Sequence, residues 1–274
     1  MRKGTMAAAF CFLLAVLVAA VVPVKAAGEI AAFSEAIRDA GTVREEMQDR
    51  YGITILLGDE CLNQTETEIC EVSGTPPAKT PLQFLMGYDV DMEELRRLDA
   101  ALAMYPEGFL QSLRDEDAPK GLRILIAGQI NGKDLSWNPA GFTTCEGSWY
   151  NVFLAHSRFT GSTVHHELWH VMEKIIMARQ PGAFLIWDAL NPEGFQYSND
   201  NAAAWADYDP DYFVSGYSTV NAMEDRATIA EAVFREDREE WFAERPGLRR
   251  KLDAMNLALK SFSLIQYTLS RPGR

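Results

Sequence analysis

The sequence predicts an α+β fold that combines a small mixed sheet, one central helix and a helical C-terminal part. Two features of the sequence predict it. Apolar residues recur at intervals of three and four in several long segments, as on one face of a helix. Short apolar or β-branched runs lie between the first of these segments and are typical of strands. The strands fall in the first part of the chain and helices fill the last part, so the two do not alternate regularly.

The first 26 residues do not belong to this fold. Two basic residues precede an unbroken apolar run from Met6 to Val22, and a proline then leads into a small-residue cleavage pattern that ends at Ala26. We therefore expect a signal peptide over residues 1–26, one domain over residues 27–274, and export to a secreted, periplasmic or cell-surface location. An uncleaved membrane anchor is the alternative, because the apolar run approaches spanning length. No basic cluster follows the run, which favours cleavage, so we expect no stable membrane span in the mature chain.

The elements before the central helix follow from spacing and from breakers. Glycine, proline and polar residues are frequent in the stretches 59–80 and 127–148, which are predicted to be loops. The predicted elements around them are a helix at 29–50, a strand at 53–57, a helix at 91–105, and strands at 122–126 and 149–155.

The central helix is predicted over residues 162–178. Ser162 or Thr163 can cap its start, and Pro181-Gly182 ends it. A loop-rich segment follows over residues 181–217. Two more helices are predicted after it, at 222–242 and 248–269.

The central helix contains the motif His166-Glu167-Leu168-Trp169-His170. Residues four apart lie on one helix face, so both imidazoles can reach one Zn²⁺ at about 2.0–2.1 Å. Glu167 is not a ligand in this arrangement and can instead take a proton from a zinc-bound water. The chain has four histidines, three of them within Val164–Val171, so a chance match is improbable. The motif predicts one catalytic zinc ion with Glu167 as general base, rather than ordinary helix histidines.

The two remaining histidines are not predicted to be ligands. His165 points about 100° away from His166 on a helix and is expected to pack or to support the site indirectly. His156 follows a strand and is expected to be a partly buried histidine.

A catalytic zinc site needs a third protein ligand, and a downstream carboxylate is the natural candidate. Glu173 follows His170 by one turn of the same helix. It is therefore expected to lie too near His170 to complete a tetrahedral set of zinc ligands. Glu224 opens the next strong helix, after a segment long enough to bring it back to the first. The carboxylates that compete for this role are Glu173, Glu193, Glu224, Asp225 and Glu231.

The segment from Tyr217 to Ala227 resembles the second signature of gluzincins of the anthrax lethal factor type. Pro-Pro endopeptidases and related exported bacterial zinc peptidases are similar. In that group H-E-x-x-H is followed by a tyrosine, then an asparagine four residues later and the ligand glutamate seven residues after the tyrosine. Tyr217, Asn221 and Glu224 match these three positions. The resemblance implies a zincin-like fold, Glu224 as third zinc ligand and Tyr217 as a donor to the oxyanion.

The chain departs from that group at one position. The family often has a second glutamate four residues after the ligand, and this chain has Thr228 there. The supporting role of that glutamate is expected to move to Asp225 or Glu231.

Taken with the signal peptide, these motifs predict an exported zinc endopeptidase that acts on a protein or peptide substrate. The alternative is an exported zinc-binding or interaction protein on the same scaffold, without catalysis. Glu167 and Tyr217 favour the enzyme, because zinc binding alone needs neither of them. The formal net charge of −13 excludes nucleic acid as an expected partner, since phosphate binding needs clustered basic residues.

Two further expectations concern cysteines and the substrate cleft. Cys61 and Cys70 lie in a turn-rich stretch of an exported chain, so a disulfide between them is plausible. Cys145 is then either buried and reduced or paired with one of the other two. Zincins commonly bind substrate backbone along the edge strand beside the active-site helix, and residues 149–153 would line the cleft if their strand is that edge.

Overall fold

The structure is a computed structural model that describes residues 40–58, 60–61, 70–71, 83–85, 91–131, 139–200 and 206–261. The predicted signal peptide lies outside these ranges, as do residues 29–39 of the first predicted helix. The chain forms two compact units, Met1–Glu45 and Glu46–Arg274. Only residues 40–45 of the first unit are described, and all of them are helical. The sheet and the candidate site belong to the second unit.

The strands in chain order are β1 (Thr54–Leu57), β2 (Cys70–Glu71), β3 (Gln83–Leu85), β4 (Leu122–Ala127), β5 (Gln129–Asn131), β6 (Gly141–Glu146) and β7 (Trp149–Ala155). Five of them form one mixed sheet in the order β1-β4-β7-β6-β2, and β3 pairs with β5. β1, β4 and β7 run parallel, whereas β6 runs antiparallel to both of its neighbours. The predicted α+β class with a small mixed sheet is therefore confirmed.

The helices are α1 (40–51), α2 (Met92–Leu102), α3 (Gly161–Arg179), α4 (Ala222–Ala232), α5 (Arg238–Ala243) and α6 (Pro246–Ser261). Short 3₁₀ turns lie at Leu110–Ser112, Trp187–Leu190 and Gly216–Thr219. None of the helices in the described part of the chain is long and apolar enough to span a membrane.

The inner strands of the sheet are buried on both faces. All six residues of β4 and six of the seven in β7 are buried, which matches their nearly continuous apolar sequences. The predicted strands at 53–57, 122–126 and 149–155 are confirmed within a residue. The predicted helix at 91–105 is confirmed as α2, and the Asp91 side chain caps it by accepting from the Glu93 amide at 2.9 Å.

The prediction of a loop over residues 127–148 is wrong. β5 and β6 lie in this stretch, and β6 forms a hairpin with β7 through Gly147 and Ser148. Both turn residues have positive φ, 58° and 73°, which is the backbone geometry of a tight two-residue hairpin. A serine seldom adopts that conformation, so the turn was not recognisable from composition.

α3 begins earlier than predicted and has a different cap. Thr160, rather than Ser162 or Thr163, is the N-cap, and it forms a capping box with Thr163. α3 packs against α2, α4, β6 and β7, so both helices and strands of the sheet contact it. The helix predicted over residues 162–178 is therefore present, one residue longer at each end.

The helix predicted at 222–242 is two helices. α4 ends at Ala232 and α5 begins at Arg238. In the link between them Arg235 donates two hydrogen bonds to the Asp237 carboxylate, at 2.8 and 2.9 Å, a local pairing that accompanies the break. The last helix is confirmed over Pro246–Ser261, with proline at its first position, and the remainder of its predicted range lies outside the described residues.

Two of the described cysteines lie on neighbouring strands of the sheet, and Cys61 lies in the turn after β1. Cys61 is fully buried, and its thiol reaches the carbonyl oxygens of Leu56 and Ile126 at 3.7 and 3.6 Å. Cys70 is the register partner of Cys145 across β2 and β6. The predicted Cys61–Cys70 disulfide stays a prediction, because the side chain of Cys70 lies outside the described part of the structure.

Candidate metal centre

The three motif residues of α3 are buried in the middle of the second unit. His166, Glu167 and His170 are each between 6 and 7% exposed. The two imidazoles lie one turn apart on one face of the helix, and their Nε2 atoms are 3.1 Å from each other. The helix therefore presents two imidazole nitrogens to one point, as the spacing predicted.

Glu224 joins them from the first turn of α4. Asn221 caps this helix with its side-chain oxygen, which accepts from the amides of Met223 and Glu224 at 2.9 and 3.0 Å. The cap fixes where α4 begins, and α4 packs directly against α3. Glu224 Oε2 then lies 2.9 Å from His166 Nε2 and 3.5 Å from His170 Nε2.

The three candidate ligand atoms lie within about 0.4 Å of the spacing that a tetrahedral zinc ion requires. Zinc–ligand distances of about 2.0–2.2 Å and tetrahedral angles require ligand atoms roughly 3.3–3.5 Å apart. The observed separations between the two imidazole nitrogens and Glu224 Oε2 are 2.9, 3.1 and 3.5 Å. His166, His170 and Glu224 form a buried His/Glu group that could hold a metal ion.

The pKa shifts of His166 and Glu224 also favour a positive charge between these residues. Burial alone would lower the pKa of His166, but hydrogen bonds to Glu224 and Glu231 raise it well above the usual value. Burial would likewise raise the pKa of Glu224, yet the two imidazoles hold it well below its usual range. The carboxylates of Glu224 and Glu231 therefore favour a positive charge at His166.

Glu231 orients His166 from the side opposite Glu224. Its Oε1 lies 2.5 Å from His166 Nδ1. A carboxylate at Nδ1 fixes the proton there and leaves Nε2 with the lone pair that a metal ligand needs. Glu231 thus takes the supporting position for which the sequence offered Asp225 or Glu231. Thr228, four residues after Glu224, contacts Ser218 Oγ at 2.8 Å.

Glu167 lies beside the group and is held by the sheet. Thr143 on β6 donates to Glu167 Oε2 at 2.6 Å. A Cβ added at Gly141 would lie only 2.7 Å from Glu167 Cγ and 2.8 Å from Thr163 Cγ2, so β6 approaches α3 too closely for a side chain there. Burial raises the pKa of Glu167, an effect that His166, His170 and the hydrogen bond from Thr143 partly offset.

Tyr217 belongs to the 3₁₀ turn that precedes α4. Its ring centroid lies 5.9 Å from that of His166. Burial, followed by the charges of Glu224 and Glu167, raises the pKa of the Tyr217 phenol, so it stays protonated at neutral pH. The structure therefore brings all five residues of the predicted site together.

Three of the competing carboxylates and the other two histidines are exposed or make contacts away from the group. Glu193 is exposed. Glu173 is buried against Arg226, whose Nη2 donates to it at 2.5 Å, and Asp225 is paired with Lys251. His165 stacks on Phe234 at 3.5 Å between ring centroids, and burial lowers its pKa to about 3. His156 binds Glu94 at 2.8 Å, so the two histidines pack as predicted.

Two residues beside Glu167 were missed from the sequence. Thr143 and Gly141 belong to β6, the strand that had been predicted as loop. The expectation that residues 149–153 form the edge strand beside the helix is also wrong, because β7 lies between β4 and β6. Among the described residues, Gly141–Thr143 have a strand neighbour on the β7 side alone. The aromatic and β-branched run Phe142-Thr143-Thr144 was the available signal.

Comparison with known proteins gives one distant structural likeness. No family model and no curated sequence matches the chain. The structure is similar to a crystal structure of a candidate zinc-binding metallo-peptidase from Bacteroides caccae ATCC 43185, with 14% sequence identity and a TM-score of 0.46. The match covers 84% of this chain and 88% of the other. A likeness at this level assigns no ligand, substrate or activity to residues of this chain.

Proposed function

We propose that the chain is an exported zinc-dependent endopeptidase with a zincin-like domain of the gluzincin type. In this proposal His166, His170 and Glu224 hold one Zn²⁺. The observation that carries it is the buried triangle of two imidazole nitrogens and one carboxylate oxygen on α3 and α4. Glu167, buried beside these three residues yet outside the group, distinguishes a catalytic arrangement from a structural one.

The proposed mechanism divides the proton transfers between two residues. Bound zinc would polarise the scissile carbonyl and lower the pKa of water to about 7. Glu167 accepts the proton of the attacking water and passes it to the leaving amine, a role that suits a carboxylate whose pKa is raised by burial. Tyr217, protonated at neutral pH, donates a hydrogen bond to the oxyanion that develops in the transition state.

Export is part of the proposal and rests on the N-terminal sequence. Met6–Val22 and the small residues that end at Ala26 support a cleaved signal peptide. Sequencing the N-terminus of the mature protein tests it: a chain beginning at residue 27 is expected, whereas an intact leader would indicate a membrane-anchored form.

The substitution Glu167→Gln tests the catalytic proposal. The variant should bind zinc like the parent but show no cleavage of a broad peptide library, because glutamine cannot accept the proton. Glu193→Gln, a change at an exposed residue, is the matched control and should cleave like the parent. Chelator should abolish cleavage by the parent.

Two outcomes would count against the enzyme. Cleavage by Glu167→Gln at the parental rate would exclude the proposed mechanism. A parent that binds zinc tightly but cleaves nothing in the library, with or without chelator, would favour the non-catalytic zinc-binding alternative.

A further inference from the structure

The residue after the proposed ligand Glu224 is held in a buried polar cluster. Asp225 is fully buried, and its Oδ2 accepts three hydrogen bonds. The donors are Lys251 Nζ at 2.7 Å, Tyr197 OH at 2.7 Å and Trp187 Nε1 at 3.1 Å. This one carboxylate oxygen therefore connects α4 to the 181–217 segment and to α6.

Of the three donors to Asp225, Lys251 alone carries a positive charge. It comes from the second turn of α6, and its side chain is completely buried. Its Nζ also donates to the carbonyl oxygen of Tyr212 at 2.8 Å and lies 4.0 Å from the ring centroid of Phe213. The Asp225 carboxylate, the Tyr212 carbonyl oxygen and the Phe213 ring therefore surround the ammonium group. The ammonium group contacts Asp225 from the side of α6.

A contribution to stability does not by itself account for such a pair. Removing two charges from water costs roughly as much as their attraction returns, and apolar residues of similar size often stabilise a protein equally well or better. In some proteins buried polar groups instead restrict the arrangements that the structure can adopt, because each alternative leaves a charge unpaired.

The position of the pair suggests what it restricts. Consecutive helical residues point about 100° apart, so Glu224 faces α3 while Asp225 faces α6. A rotation of the first turn of α4 that moved Glu224 away from the two histidines would also pull Asp225 away from Lys251. The Lys251–Asp225 contact therefore opposes that rotation whether or not zinc is bound.

We propose that Lys251 is a positioning residue for the metal centre: through its contact with Asp225 it fixes the first turn of α4 and so holds the Glu224 carboxylate at the two histidines. The inference rests on the proposed function, because it takes Glu224 to be a zinc ligand. It assigns to the C-terminal helix a part in metal binding, although α6 contributes no ligand to the group.

The test measures zinc affinity rather than activity. Lys251→Met removes the ammonium group and keeps most of the side-chain volume, but it leaves the Asp225 charge buried and can unfold the protein. The double variant Lys251→Met/Asp225→Asn removes both charges and keeps an acceptor for Tyr197 and Trp187. Zinc affinity would be measured by competition with a chromophoric chelator, and folding by circular dichroism of the metal-free protein.

The control is a buried polar pair away from the centre. Arg123 Nε donates to Asn151 Oδ1 at 2.7 Å between β4 and β7. The double variant Arg123→Met/Asn151→Leu should lower the melting temperature and leave the zinc affinity unchanged. The visible spectrum of bound Co²⁺ provides a second readout, since it reports the ligand geometry and not the stability of the fold.

The expected result is a loss of zinc affinity of about tenfold or more in the folded double variant, with an altered Co²⁺ spectrum, as for other residues that support a ligand indirectly. A folded double variant that binds zinc like the parent, with an unchanged Co²⁺ spectrum, would overturn the inference and leave the proposed function intact. A parent that binds no zinc would overturn the proposed function, and this inference with it.

Discussion

Replacing Glu231 with alanine should weaken zinc binding without removing any ligand. The substitution deletes the carboxylate that lies 2.5 Å from His166 Nδ1. A hydrogen bond to a charged group contributes about 1.5–3 kcal/mol. The Glu231 side chain is 29% exposed, so water replaces part of the lost interaction and the lower half of that range applies. A loss of about 1.5–2 kcal/mol corresponds to a roughly 10- to 30-fold weaker affinity for zinc.

The assay is a competition titration of the metal-free protein against a chelator of known zinc affinity at neutral pH. Glu231→Gln keeps a hydrogen-bonding group and should lose less affinity than Glu231→Ala. Glu236→Ala makes the same charge change at an exposed residue of the neighbouring link and should bind zinc like the parent. If Glu231→Ala bound zinc within about twofold of the parent, the orienting role of Glu231 would be refuted.

Three other substitutions have expected outcomes. Gly141→Ala places a Cβ 2.7 Å from Glu167 and should lower kcat/KM for peptide cleavage about a hundredfold while zinc affinity is unchanged, measured by steady-state kinetics and zinc titration. Arg226→Met leaves the Glu173 carboxylate buried without its cation and should lower the free energy of unfolding in urea by about 3–5 kcal/mol, most of which Glu173→Leu should restore in the double variant. Burial lowers the pKa of His165 to about 3, so its contribution to stability is complete above about pH 6.5 and is lost as the pH falls towards 3. In the metal-free His165→Phe variant, the free energy of unfolding measured in urea should fall less steeply between these pH values than it does in the parent. The difference in slope should be up to about 1.4 kcal/mol per pH unit.

Local spacing was sufficient to predict the helix that carries the site. His166 and His170 converge because they are four residues apart on one helix, a relation that any α-helix preserves. The spacing of residues did not identify which of the competing carboxylates is the third candidate ligand, Glu224. That choice came from the resemblance around Tyr217, and the structure brings the residue to the two imidazoles.

The features that sequence reasoning missed or left open depend on contacts between distant segments. β6 requires the positive φ of Ser148 and a partner strand, and neither is visible in the composition of its loop. The contact between Glu231 and His166 depends on how α4 crosses α3, and residues 65 positions apart in the chain have no periodic relation. The cap was misassigned because Thr160, Ser162 and Thr163 are equally good capping residues by type, and the path of the chain after β7 decides among them.

The burial of α3 limits how this protein can diversify. Every residue from Val164 to Met172 is buried, including those on the faces away from the candidate metal centre. This part of the helix has no exposed surface on which substitutions could accumulate without disturbing a neighbour. In the proposed peptidase, a new substrate preference would therefore have to arise in the segments around the helix, namely the β6 strand and the stretch 181–217. These segments also contain Thr143, which holds Glu167, and Tyr217, the proposed oxyanion donor, so specificity could change only at their other positions.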